Sequence, residues 1–76
     1  MVIGVTMIKV VLGEERKVYK ELMQVGGVRD VFHIFGKYDF VAVIDVEGLG
    51  KINNTVDKIR EIKGVISTQT IIGAEI

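Results

Sequence analysis

Two short polar segments carry the side chains of this chain that are best suited to contact a ligand. Their sequences are Gly36-Lys37-Tyr38-Asp39 and Ser67-Thr68-Gln69-Thr70. In the first, a carboxylate and a phenol stand beside a glycine, where no Cβ blocks close approach to the backbone. In the second, Thr68 and Thr70 are two residues apart, so both hydroxyls leave the same face of a strand. The candidate binding residues are therefore Gly36, Tyr38, Asp39, Thr68 and Thr70.

Each candidate also has a purely structural interpretation. Gly36 and Asp39 are typical of a hairpin turn, where glycine adopts a positive φ and aspartate bonds the local backbone. Thr68 and Thr70 are good strand formers that suit a half-buried edge. Tyr38 is as well suited to anchoring a protein interface as to contacting a ligand. Both interpretations stay open on the sequence alone.

The other residues that could do chemistry indicate neither a catalytic nor a metal site. His33, the only histidine, lies among apolar residues without the companions that a metal site needs, so a packing or interface role is expected. Glu14 and Glu15 fit the first turn of a helix, where the helix dipole favours negative charge. The chain has no cysteine, and no nucleophile–base pair or cofactor loop is evident. We therefore predict no metal, no cofactor and no enzymatic activity.

The elements that must position these residues are arranged as a near repeat, visible after a shift of 37 positions. The residues that coincide include Gly13 with Gly50, Leu22 with Ile59, Gly27 with Gly64, Ile34 with Ile71 and Gly36 with Gly73. Each half reads as an apolar run, an amphipathic stretch, a glycine and a second apolar run. Two such strand–helix–strand units form a complete small α/β sandwich.

Apolar periodicity predicts six elements in the order βαββαβ. The strands are expected at residues 2–11, 28–35, 40–46 and 65–72, and the helices at residues 14–25 and 49–62. Right-handed crossovers place both helices on one face of a four-stranded antiparallel sheet, which is the ferredoxin-like arrangement of the α+β class. In this arrangement we expect the first and third strands at the centre of the sheet, parallel to each other.

The third strand indicates that the sheet needs a partner. Its residues 40–44 are apolar at every position, so both of its faces require burial. The two helices can cover only one face. We therefore expect a second copy of the chain to cover the other face, sheet against sheet.

The composition is that of one small domain, residues 1–76, with a high apolar content of 49%. A chain of this length is only marginally stable alone, so we interpret the apolar excess as surface for another subunit. Lys+Arg and Asp+Glu balance at 10 each, so no net field attracts nucleic acid or an anionic membrane. No apolar run could span a membrane and the N-terminus lacks a basic leader, so a cytoplasmic protein is expected.

Together, the two polar motifs resemble those of the effector-binding and assembly domain of the Lrp/AsnC family of transcription regulators. That family pairs a Gly-x-Tyr-Asp turn between strands two and three with a Gly-Val-x-x-Thr-x-Thr pattern that opens strand four. Both motifs are complete and in that order here, as Gly36-Lys37-Tyr38-Asp39 and Gly64-Val65-Ile66-Ser67-Thr68-Gln69-Thr70. Full-length members also carry an N-terminal DNA-binding domain, and this sequence resembles a stand-alone version without it.

The resemblance implies a function in sensing and assembly. Family members dimerise through this domain, the dimers associate, often into octamers, and small ligands, usually amino acids, sit between dimers near the turn. Carried onto this chain, Gly36, Tyr38 and Asp39 would line the site, and Thr68 and Thr70 would add hydroxyls. Asp39 would accept the ammonium of an amino acid, and backbone N–H groups near Gly36 with a threonine hydroxyl would hold its carboxylate.

The resemblance also implies partners. Full-length Lrp/AsnC regulators could form mixed assemblies with this chain, which would act on transcription regulation or amino-acid metabolism without contacting nucleic acid itself. The alternative function is a small ferredoxin-like dimeric enzyme, similar to a monooxygenase, because a fold alone does not exclude catalysis. A pocket inside one subunit with His33 pointing inward would favour the enzyme. A pocket between dimers, walled by Asp39, would favour the sensor. A purely structural subunit would respond to no amino acid.

Overall fold

The computed structural model of the chain describes residues 2–74 and has the predicted order of elements. The strands are β1 (Val2–Val10), β2 (Val28–His33), β3 (Phe40–Val46) and β4 (Val65–Ala74), and the helices are α1 (Glu15–Leu22) and α2 (Leu49–Arg60). The third strand has the predicted bounds. The second ends two residues earlier than predicted, at His33, because the chain turns away from β3 there. The fourth continues past the predicted end at Ile72.

The four strands form one antiparallel sheet in the order β2-β3-β1-β4. The α+β, ferredoxin-like prediction is confirmed, with β1 and β3 at the centre. The expectation that β1 and β3 run parallel is wrong, because they pair in antiparallel register, for example Val5 with Val43. The reason is topological. The crossover through α1 returns β2 parallel to β1, and the hairpin then reverses the chain, so that β3 enters between them in the opposite direction.

The internal repeat is visible in the backbone. Gly27 and Gly64, related by the 37-residue shift, precede β2 and β4 with φ values of 97° and 110°. Gly27 also touches its surroundings closely, because a Cβ built there would lie 2.6 Å from Thr55 Oγ1 and 3.1 Å from Val46 Cγ1. Each strand–helix–strand unit therefore reverses direction through a left-handed glycine at the same place.

The hydrophobic core lies between the helices and one face of the sheet. It is built from alternate residues of β1 and β3 and from one stripe on each helix, as expected for half-buried strands and amphipathic helices. The buried apolar side chains are Ile8, Val10, Val18, Leu22, Phe40, Ala42, Ile44, Ile52, Val56 and Ile59. Thr6 and Thr55 are the buried polar residues in the described range, and both are hydrogen-bonded.

The opposite face of the sheet, called here the bare face, is covered by no element of residues 2–74. Its apolar side chains come from all four strands and are Ile3, Val5, Met7, Phe32, Val41, Val43 and Ile71. Phe32 is 55% exposed and Ile71 58% exposed, at the two edges of this surface. The structure thus confirms that β3 presents apolar residues on both sides and that the helices cover only one.

Candidate functional site

The hairpin between β2 and β3 presents the first predicted motif. The Ile34 N–H donates to the Asp39 carbonyl (2.8 Å), which closes the loop over residues 35–38. Gly36 has a φ of 125°, a conformation that side-chain-bearing residues rarely adopt, and no atom would obstruct a Cβ there within 4 Å. Gly36 is therefore required by the backbone of the turn and not by close packing.

The carboxylate of Asp39 replaces a missing backbone acceptor at the end of the sheet. The Asp39 N–H donates to the Ile8 carbonyl (2.9 Å), and the next outward N–H of β1, that of Val10, donates to Asp39 Oδ2 (2.7 Å). The turn has already taken the β3 backbone away at that point. Asp39 thus makes the predicted kind of structural hydrogen bond, but to a strand 29 residues away and not to its own turn. Its Oδ1 makes no hydrogen bond within residues 2–74.

Asp39 and Gly36 line a cleft of about 770 Å³ between α1 and the hairpin, called here the hairpin cleft. Its lining combines two carboxylates, one guanidinium and several aromatic rings. The lining residues are Gly13, Glu15, Arg16, Tyr19, His33, Ile34, Phe35, Gly36, Asp39 and Phe40. The volume falls in the range of small-molecule sites, and the cleft is open to solvent on one side.

Four aromatic rings form a continuous wall in this cleft, called here the aromatic wall. Tyr19 lies 6.0 Å from Phe40, Phe40 lies 4.9 Å from His33, and His33 lies 5.1 Å from Phe35, measured between ring centroids. These tilted pairs are in the favourable range for aromatic contacts. His33 therefore packs between two phenylalanines, as expected, and also faces the cleft.

Tyr38 reaches the other side of the sheet. Its hydroxyl donates to Gln69 Oε1 (2.8 Å), and Gln69 is paired in register with Met7 on the bare face. The tyrosine therefore spans β1 on the surface that the helices leave uncovered. Tyr38 and Asp39, adjacent in sequence, do not line one cavity within a single protomer.

The two threonines lie at a third place, beside α2. The Arg60 Nε–H donates to Thr68 Oγ1 (2.8 Å), and the hydroxyls of Thr70 and Thr6 are hydrogen-bonded to each other. Thr70 lines a groove between α2 and β4, called here the α2–β4 groove, with Asn53, Val56, Asp57, Arg60 and Ile72. The prediction that both threonine side chains leave one face of the strand is confirmed. Within one protomer they do not meet Gly36 and Asp39.

Sequence reasoning missed Arg16 and Tyr19. They are three residues apart on α1 and lie on the helix face that looks toward the hairpin. Two signals in the sequence could have indicated them. Their three-residue spacing places both side chains on one face of α1, and the right-handed crossover places α1 against the sheet near the second strand. Neither residue belongs to a sequence motif, so only the fold brings them to Asp39.

Within the part of the chain that the structure describes, no group of three or more His, Cys, Asp or Glu residues is placed to bind a metal ion. The helices of residues 2–74 are also too short and too polar to cross a bilayer. The described residues thus form a ferredoxin-like domain that carries a cleft lined by hydrogen-bonding and aromatic groups.

Comparison with known proteins identifies the family of this binding domain. The model of the Lrp/AsnC ligand binding domain matches residues 3–75. The chain therefore belongs to the Lrp/AsnC ligand binding domain family, which the two motifs predicted. This is a family of regulator domains and not of enzymes, so it supports the sensor over the enzyme. The cleft alone does not separate them, because His33 and Asp39 line it together.

Two curated relatives show where such domains occur. The chain is 34% identical over 56 residues to the HTH-type transcriptional regulator LysM of Sulfurisphaera tokodaii, which covers 74% of this chain and 40% of that protein. It is also 34% identical over 53 residues to the homocitrate synthase of Sulfolobus acidocaldarius, which covers 70% of this chain and 11% of the enzyme. The chain thus spans about two fifths of the length of the regulator and a small part of the enzyme.

Solved structures show the same fold. A hypothetical protein from Pyrococcus horikoshii superposes with a TM-score of 0.90 at 24% identity, covering 99% of this chain and 92% of that one. A transcriptional regulator from Neisseria meningitidis in complex with L-Met superposes with a TM-score of 0.82 at 13% identity, covering 97% of this chain and 50% of that one. The fold is therefore found both in short chains and in longer regulators.

Proposed function

We propose that this chain binds a free amino acid in the hairpin cleft and that binding of the amino acid is coupled to association of the subunits. The observation that carries the proposal is the hairpin cleft, which is lined by Gly36 and by the carboxylate of Asp39. The chain also belongs to a family of ligand binding domains. Asp39 Oδ2 is held by Val10, which fixes the carboxylate, and Oδ1 accepts the ammonium of the ligand. The L-Met complex of the Neisseria meningitidis regulator supports an amino acid as ligand.

The working form in this proposal is a homodimer that packs bare face against bare face. Seven apolar side chains on four strands form one continuous surface, and exposed apolar patches of this kind mark interaction sites. Val41 and Val43 lie at its centre. Each protomer then buries both sides of its sheet, which adds to the small stability of a chain of this length.

Dimers associate further at the hairpin end, up to an octamer in this proposal. Leu12 and Phe35 are each 91% exposed, and both lie at the end of the sheet that carries the turn. Phe35 also lines the hairpin cleft, so a second dimer placed there would close the open side over the ligand. A site completed by two dimers couples ligand binding to assembly by mass action.

The output of this sensor is control of transcription through full-length regulators of the family, in the cytoplasm. The similarity to the regulator LysM supports this output. A second candidate output is control of an enzyme of amino-acid metabolism, and the match to a segment of a homocitrate synthase favours it. In both cases the chain contributes a ligand-dependent interface and contacts no nucleic acid itself.

Thermal unfolding with each of the twenty amino acids tests ligand binding. A ligand present at about 100 times its Kd stabilises the folded state by about 2.7 kcal/mol. That corresponds to a rise in Tm of roughly 10–20 °C for a domain of this size. The Asp39→Asn variant, which keeps an acceptor for Val10 but loses the charge, should lose most of the rise. Absence of any shift with all twenty amino acids would refute the sensor and favour a purely structural subunit.

Light scattering after size-exclusion chromatography tests the dimer. Val43→Lys places a charge at the centre of the bare face and should give a folded monomer, because the core on the helix side is untouched. Asn54→Lys, on the exposed side of α2, is the matched control and should keep the wild-type mass. A wild-type protein that is monomeric, or a Val43→Lys variant of unchanged mass, contradicts the proposed interface.

A further inference from the structure

We propose that Arg16 binds the carboxylate of the amino acid and that the aromatic wall selects a ligand with an aromatic side chain. This inference rests on the proposed function, because it specifies the ligand of the same cleft. Arg16 takes the place of the threonine hydroxyl that was expected to bind the ligand carboxylate. Thr68 and Thr70 lie beside α2 and not in the hairpin cleft of their own protomer.

Arg16 is the one lysine or arginine among the residues that line the hairpin cleft. None of the ion pairs formed within residues 2–74 involves it. The neighbouring carboxylate, Glu15, accepts the Gly13 N–H through its Oε1 at 2.8 Å and forms no ion pair with Arg16. A guanidinium presents parallel donors that match both oxygens of a carboxylate. Arg16 on α1 and Asp39 on the hairpin thus place opposite charges on two walls of one cleft, as a zwitterion requires.

The internal repeat shows that the fold does not dictate the residues of this cleft. Shifted by 37 positions, four cleft residues fall on four residues that line the α2–β4 groove. The pairs are Arg16 with Asn53, Tyr19 with Val56, His33 with Thr70 and Phe35 with Ile72. The same architecture is therefore built in the second half without a cation and without an aromatic ring at these positions. Packing alone does not explain them in the first half.

Most of the phenylalanine and tyrosine residues of the chain lie in the hairpin cleft. The chain has three phenylalanines and two tyrosines, and Tyr19, Phe35 and Phe40 all line the hairpin cleft together with His33. A ligand ring placed against these rings gains apolar burial and tilted aromatic contacts. A cationic side chain could also sit over such rings. However, a ligand ring is buried without the desolvation cost that a side-chain ammonium pays, so we expect the aromatic side chain to be preferred over the cationic one.

Isothermal titration calorimetry of the full chain tests the inference with matched ligands. L-Phe, L-Ala and L-Lys compare side chains, and phenethylamine is L-Phe without its carboxylate. The wild-type protein should bind L-Phe at least about tenfold more tightly than L-Ala or L-Lys. Arg16→Gln should weaken L-Phe binding by roughly tenfold to a hundredfold, since it removes a charge-assisted pair. Phenethylamine binding should be the same in both proteins.

Two control variants separate a binding role from a structural one. Lys20→Gln removes another exposed cation from the next turn of α1, outside the cleft, and should leave L-Phe affinity unchanged. Tyr19→Leu should reduce the preference for L-Phe over L-Ala. If no amino acid binds the wild type, the proposed function fails together with this inference. If amino acids bind but Arg16→Gln equals wild type, or L-Lys binds more tightly than L-Phe, this inference alone is overturned.

Discussion

Replacing Asp39 with alanine and with asparagine separates its structural role from its role in binding. Asp39 Oδ2 accepts the N–H of Val10, a residue that is 5% exposed, at 2.7 Å. Alanine leaves this N–H without its acceptor in a place that water reaches poorly. Asparagine offers a carbonyl oxygen in nearly the same position, without the charge. Alanine is therefore expected to lower the stability of the fold as well as to remove the proposed ligand contact.

The size of the effect follows from the hydrogen bond. Leaving a buried donor unsatisfied costs about 1–3 kcal/mol, and exchanging a charged for a neutral acceptor costs about 1 kcal/mol. For a domain of this size, each kcal/mol lowers Tm by roughly 4–8 °C. Asp39→Ala should thus melt roughly 4–24 °C below wild type, and Asp39→Asn roughly 4–8 °C below it.

The assay is thermal and urea unfolding followed by circular dichroism, at one fixed protein concentration and without ligand. A fixed concentration is necessary because association of protomers contributes to stability. Equal stability of Asp39→Ala and wild type would refute the role assigned to the Val10 hydrogen bond. Equal losses in the alanine and asparagine variants would show that the charge, and not the acceptor, stabilises this end of the sheet.

Two further predictions concern the frame that holds the site. Gly27→Ala should lower stability by about 2 kcal/mol or more, because a left-handed backbone costs about 1–2 kcal/mol for a residue with a Cβ and this Cβ would also meet Thr55. Gly26→Ala, with nothing within 4 Å of the added Cβ, is its control in urea unfolding and should cost far less. Thr70→Val should cost about 1–3 kcal/mol by leaving the buried Thr6 hydroxyl unpaired, whereas the double variant with Thr6→Val should recover much of the loss. A double variant less stable than Thr70→Val would contradict this account.

The sequence predicted the fold well because the fold depends on local signals. Glycines at positions 27 and 64 and the apolar periods around them mark where each strand–helix–strand unit turns. These signals fix the order of elements and the faces of the strands. Strand direction depends instead on which strands become neighbours, so the expected parallel pairing of β1 and β3 was wrong. That error came from overlooking how the hairpin inserts β3 between β1 and β2.

The candidate site was predicted only where its residues are contiguous in sequence. Gly36 and Asp39 share one turn and line one cleft. The Val10 N–H that holds Asp39 is 29 residues away, and a backbone donor has no sequence signature. Arg16 lies on the exposed side of an amphipathic helix, where charged residues are common, so the sequence does not distinguish it as a binding residue. Thr68 was grouped with Asp39 by motif, and within one protomer its hydroxyl accepts a hydrogen bond from Arg60.

Tyr38 and Asp39 are consecutive residues whose side chains reach opposite sides of the sheet, one bonded to Gln69 and the other facing α1. The loop therefore links the hairpin cleft to the bare face, where the proposed dimer forms. Thermodynamic reciprocity then requires that a metabolite which tightens subunit pairing be itself held more tightly by the paired form, by the same factor. The abundance of the protein in a cell would thereby help set the metabolite level at which it responds.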